Sequence, residues 1–295
     1  MKDILIRAVN LASQKLGAEY AEVRAQKLFK TALTAKERDI ESARQGIESG
    51  AALRVLVDGA WGFASVGSLR AEALTDAISV ACKMARAASS SLKVPIKLAP
   101  AQTVEDKVIR KPRKDPSKIS VEDKISMTAA LGNTILGYDK RIKSCTVDYL
   151  DTTGTTYFMN SDGTYIEQDK LYVWERIGVT ANETDVFTFS REEVGSTAGY
   201  EVFDVETPES VGERAAKRAV GQLKAKPTRG GRFPVVLGPS VLGVFVHEAF
   251  GHLAEADLTL SGSVLSNKLG KKIASDVVTF YDDWTIEGAF GSYKY

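Results

Sequence analysis

Apolar positions recur at spacings of three and four from the start of the chain, at Ile4, Leu5, Ala8, Val9, Leu11, Ala12 and Leu16. That spacing lines one side of a helix, so it predicts an opening amphipathic helix. Two apolar runs at 53–57 and 61–65 flank Asp58-Gly59. This dipeptide tolerates the positive φ of a tight turn and predicts a hairpin. A second helix is predicted over 69–88, with Leu74, Ala77, Ile78, Ala81, Met84, Ala85 and Ala88 on its buried side. Cys82 borders that face and reads as a small buried hydrophobe.

The periodicity is lost between 89 and 118, where Pro95, Pro100, Pro112 and Pro116 block regular structure and predict a linker. It resumes with a helix that Ser120 can cap, assisted by Asp123 three residues on, reaching about residue 136. Strand-like runs follow at 142–150, 155–160, 165–181 and 186–190. Breaks at 151–154 and at Asn160-Ser161-Asp162-Gly163 turn them into an antiparallel meander. A helix over 208–223, a break at 227–231 and a strand at 233–237 complete the pattern. Ser240 then caps a buried helix implied by Val241, Leu242, Val244, Phe245 and Val246. The expected fold class is α+β: N-terminal α/β domains with mixed or antiparallel sheets, followed by the start of a C-terminal β-rich domain. Boundaries are expected at 1–92, 93–118 (linker), 119–228 and 229–295.

Composition narrows the function. With 44% hydrophobic and 26% charged residues the chain reads as an ordinary folded protein. Its 39 basic and 38 acidic residues create no net field toward nucleic acid or an anionic membrane. The linker is locally basic around Lys111, but no aromatic residues are interleaved to stack on bases, so it reads as a solvated strap and nucleic acid is not an expected partner. Cys82 and Cys145 are too few for a multi-bridge secreted scaffold. Charges at Lys2, Asp3, Arg7, Lys15 and Glu19 interrupt any signal-peptide core, and no run is long enough to span a membrane. A cytoplasmic location is expected.

The chemistry concentrates in His247-Glu248-Ala249-Phe250-Gly251-His252, which holds both histidines of the chain. On a helix at about 100° per residue, imidazoles four apart share a face, whereas five apart they diverge by about 140°. Two imidazoles cannot then easily reach one ion at about 2.1 Å each. A metal site therefore requires a distorted helix. One π-type turn absorbs the extra residue, with Gly251 the place where it would cost least, so a non-α turn is expected across 249–252. Glu248 stands where the general base stands in the four-spaced zinc motif.

His-Glu-Ala-Phe-Gly-His followed by Leu253-Ala254-Glu255-Ala256-Asp257 resembles the TldD/PmbA metallopeptidase family, in its TldD-like, HExxxH-containing branch. The Asn160 to Gly163 turn, the 270–275 region and Asp282-Asp283 through Tyr293 also resemble family segments, in family order. The resemblance implies a zinc-dependent peptidase acting on small or unfolded peptides, with His247 and His252 as Zn2+ ligands and Glu248 as base. It further implies a PmbA-like (TldE-like) sister subunit or a homodimer, and the family has been linked to modulation of DNA gyrase. Its third zinc ligand is a cysteine far downstream, which neither Cys82 nor Cys145 matches. Two readings follow: the chain is truncated within its C-terminal domain, which is the expectation, or Glu255 substitutes as a ligand. Under the first, Glu255 supports a ligand from behind or lies at the surface. Non-catalytic binding of a peptide or partner by edge pairing is the competing function.

Overall fold

The computed structural model describes all 295 residues. They divide into two compact units, one made of 1–225 with 284–295 and one of 226–283.

The first unit is built on one seven-stranded sheet. Its strands are β1 (Tyr20–Lys36), β2 (Asp39–Val57), β3 (Ala60–Val66), β4 (Glu105–Val108), β5 (Ile142–Asn160), β6 (Tyr165–Glu183) and β7 (Val186–Ser196). Their order is β3-β2-β1-β5-β6-β4, with β7 also paired to β6. All pairings are antiparallel except β4 with β6. Successive strand residues point to opposite faces, and β1, β5 and β6 pair odd positions with odd positions over most of their length, so one face collects odd-numbered side chains.

That face carries two cores. Helices α1 (Lys2–Asn10) and α2 (Ala71–Ser89) cover one, where Leu5, Leu74 and Ile78 meet Val23, Leu53 and Val55. Helices α3 (Val121–Tyr138) and α5 (Pro208–Gln222) cover the other, where Leu131, Ile135, Val211 and Ala215 meet Leu33, Val147 and Ile177. Truncating a core side chain such as Ile78 or Ile177 to alanine typically costs about 2–5 kcal/mol. A short helix α4 (Val202–Val205) precedes α5. Ser120 caps α3 by accepting from the Asp123 backbone N–H at 3.0 Å, and Thr207 caps α5 by accepting from that of Ser210 at 3.2 Å.

The structure departs from the sequence reading at several places. On α2 Cys82 is buried as expected, but Met84 and Ala88, expected on the buried side, are exposed, because the helix lies on the sheet along the line of Leu74, Ile78, Ala81 and Ala85. At its closest approach a Cβ on Gly62 of β3 would collide with the Ala81 carbonyl. Within the expected linker, β4 adds to the sheet edge, and the Ile96 backbone N–H donates to the Gly59 carbonyl at 2.9 Å on the β2–β3 turn. At that turn Asp58 and Gly59 have φ of 50° and 71°. The expected break at 151–154 is absent. β5 runs through it, since Asp151 is buried against Lys124 of α3 and Thr152 is also buried.

Lys124 and Asp151 are both fully buried with Nζ and Oδ2 2.6 Å apart, and the Tyr149 hydroxyl donates to the same Oδ2 at 2.7 Å. Glu175, opposite Tyr149 in the β5–β6 ladder, is equally buried and neither carboxyl oxygen has a hydrogen-bond partner. Burial, and secondarily the Glu209 carboxylate, push its carboxyl up to about 8, so it holds its proton at neutral pH.

A carboxyl whose pKa is raised by folding stabilises the native state most below its unfolded value, and that stability is lost as pH rises through the folded value. Unfolding free energy is therefore expected to fall between about pH 4 and pH 8 by at most about 5 kcal/mol from this group. Denaturant titrations across that range are expected to show Glu175→Gln with a flatter pH profile; an unchanged profile would refute the assignment.

Candidate metal centre

The second unit consists of short helices and irregular chain. Residues 233–237, expected as a strand, form none, because no strand of this unit lies beside them to complete a ladder. Pro239 occupies the first turn of α6 (Pro239–Val246) with Gly238 as N-cap, in place of the expected Ser240 cap. Proline fits there because the first helical N–H has no acceptor in any case. None of α6 is buried, contrary to the expectation of a buried helix: Val244 and Phe245 are 62% and 59% exposed. The helix is apolar on every side, and the short helices of this unit do not surround it.

The regular helix gives way to a π turn over His247–Gly251, and the His252 backbone N–H donates to the His247 carbonyl five residues back. The chain then continues as α7 (His252–Ala254) and α8 (Ala256–Leu260). The distortion that five-residue spacing demands is present, beginning two residues earlier than expected. Glycine is not what permits it. Gly251 keeps a helical φ of −53°, and an added Cβ would stand 3.6 Å from His247 Nδ1, an ordinary contact.

The turn brings the two imidazoles together, with ring centroids 4.4 Å apart and planes 68° from parallel. One ligand atom from each of His247, Glu248 and His252 falls within 4.8 Å of the others. The first two side chains are exposed and His252 is half-buried, so an ion could reach them from solvent. Two imidazole nitrogens suit zinc as ligands, and the Glu248 carboxylate stands close enough to reach a water on the ion, so these residues fit the cation that the motif implies.

Glu255 lies outside that cluster. Its Oε1 is 2.9 Å from His252 Nδ1, and on the other side of the ring Nε2 is 3.7 Å from Glu248 Oε2. A carboxylate behind one ring nitrogen fixes the tautomer and aims the other nitrogen. The contact with Glu255, more than the charge of Glu248, raises the His252 pKa above the usual histidine range. Cys82 and Cys145 are buried in the two cores of the first unit, where burial raises both thiols, Cys145 to about 11; neither joins the cluster.

Three domain models of one family match the chain in order: PmbA/TldA metallopeptidase domain 1 over residues 21–85, the central domain over 114–223 and the C-terminal domain over 230–295. The chain is 35% identical over 281 residues to a metalloprotease of Methanothermobacter thermautotrophicus, and 29% identical over 290 residues to a zinc metalloprotease TldD homolog of Saccharolobus solfataricus. Each match takes in 94% of this chain, which spans 59% and 62% of those two proteins. Among solved structures, a Bacteroides thetaiotaomicron protein described as a candidate modulator of DNA gyrase superposes with a TM-score of 0.76 at 23% identity, covering 93% of this chain and 62% of that one. TldE from Thermococcus kodakarensis superposes at 0.67 with 16% identity, covering 91% and 58%. These two share the fold.

Replacing Glu255 by glutamine is expected to lower the His252 pKa toward the ordinary histidine value, read from imidazole NMR shifts across a pH titration. An unmoved His252 titration would show that Glu255 does not hold the ring.

Proposed function

Because the chain belongs to the PmbA/TldD metallopeptidase family, we propose that it forms part of a zinc peptidase hydrolysing small or unfolded peptides. The observation that carries this reading is the π turn, which gathers His247, Glu248 and His252 where a helix with regular geometry would splay them. His247 and His252 are the zinc ligands. Zinc, when bound, supplies Lewis acidity to the scissile carbonyl and lowers the pKa of water to near 7.

The remaining work falls to the chain's own side chains. Glu248 receives the proton of the attacking water and returns it to the leaving amine, a general acid–base role worth about 10²–10⁴-fold. Glu255 positions the His252 ring through Nδ1 and is not a ligand, which leaves the third ligand to be supplied outside the cluster. The likeness to TldE supports a two-subunit assembly with a TldE-like partner, with a homodimer as the simpler form. A cytoplasmic setting belongs to this reading, since both cysteines are free thiols, as a reducing compartment keeps them; no helix is long and apolar enough to cross a membrane.

In the intact protein, Glu248→Gln is expected to keep its zinc, measured by atomic absorption, while cleavage of an unfolded peptide falls by about 10²–10⁴-fold. Chelation is expected to abolish cleavage and added zinc to restore it. Full activity in Glu248→Gln would end the assignment of the base.

A further inference from the structure

The π turn is tied to chain that lies well beyond it. Downstream, α7 stops after three residues because Glu255 is extended, with ψ of 141°. The Leu253 carbonyl, which a longer helix would give to its own backbone, accepts instead from the Ser263 hydroxyl at 2.7 Å. The Ser266 hydroxyl donates to the Thr259 carbonyl at 2.5 Å, so the chain after α8 folds back along it.

A second tie comes from the side. Phe250 sits inside the turn, and Phe280, in the irregular chain that follows α8, stacks on its ring with centroids 5.0 Å apart and planes 26° from parallel. Offset stacking at this distance attracts beyond the area it buries. The stack bears on the histidines through helix geometry. On a regular helix the side chains three and four residues on are the neighbours of a given one, so His247 would stand beside Phe250 and Gly251. In the turn the neighbouring ring of His247 is that of His252, at 4.4 Å, and Phe250 is drawn off onto Phe280. Each of the two ring pairs therefore goes with the wide turn.

We propose that Phe280 is a positioning residue for the metal site: by stacking on Phe250 it holds the turn in its π form and so keeps the His247 and His252 imidazoles side by side. It touches neither ligand ring and acts through Phe250 alone. The proposal rests on the zinc reading for the identity of the cation, but what Phe280 holds is the geometry of the rings.

Two readouts test it. In the full chain, kept in EDTA and isotope-labelled in its two histidines, nuclear Overhauser cross-peaks between the His247 and His252 ring protons are expected. Phe280→Ala is expected to lose them, and Phe280→Tyr, which keeps a ring to stack, to retain them. In the intact protein, competition with a chromophoric chelator is expected to show zinc held about 3–10-fold more weakly by Phe280→Ala, the worth of one aromatic stack, and with unaltered affinity by Phe280→Tyr. Phe280 is 40% exposed, so its truncation opens no closed core. Circular dichroism checks the fold, and Phe280→Leu, expected to fall between the other two, serves should Phe280→Ala not fold. No cross-peaks in the unaltered chain, cross-peaks that persist in folded Phe280→Ala, or zinc held equally by that variant would overturn the proposal. The two readings fail separately. Cross-peaks lost in Phe280→Ala support the positioning role even where the unaltered protein takes up no zinc, a result that would end the zinc reading; cross-peaks and zinc affinity both intact in Phe280→Ala would end the positioning role and leave zinc in place.

Discussion

Fifteen consecutive residue pairs join β1 to β5, from Glu22 with Asn160 to Lys36 with Thr146, and the architecture of the first unit depends on that ladder staying in register. A slip of one residue would turn Val23, Leu33, Val147 and Tyr149 out of both cores together and bring Arg24, Lys36 and Asp148 in. The ladder also joins chain segments more than a hundred residues apart. Stretches that look separable in sequence, before and after the proline-containing strap, share one sheet and keep separate helical covers. The buried Lys124–Asp151 pair reinforces the same register from the helix side. Asp151 can meet Lys124 only if β5 presents odd positions to α3, and removing either partner would leave an uncompensated buried charge.

Elements with clean periodicity were legible. The opening helix, the Asp58-Gly59 hairpin, α3 with its Ser120 cap and α5 from Pro208 follow from spacing and capping alone. The long β1–β2 ladder was not, for a physical reason. Nearly all of β2 from Asp39 to Gly50 is exposed or half-buried on both faces, so no alternation is written into it, and the connecting turn at Glu37 uses a non-glycine residue at φ 57°. β4 is four residues long and half exposed, too short for any period. The Asp151 to Gly154 stretch looks like a turn by composition. It is held in the strand by an ion pair with a helix that sequence places elsewhere, an instance of tertiary contact overriding propensity.

The candidate metal site was legible to the level of its distortion. Five-residue spacing is incompatible with a regular helix, and the π turn resolves it. The contact between Glu255 and His252 Nδ1 was less so, because three-residue spacing allows a carboxylate either to point toward the ion or to stand behind the ring.

A π turn holds one residue more than the α-helix around it, and that surplus residue can in principle migrate along the helix. If it moved past His252, the two rings would rotate away from each other and the donor set would come apart. A cation gripping both rings would pin the surplus where it lies, and a surplus already pinned would bind the cation more tightly; by reciprocity the two effects are equal in free energy. Helix register and metal occupancy are thus two coordinates of a single equilibrium, so mutations that stiffen the regular helix upstream would be felt as weaker metal binding without touching a ligand.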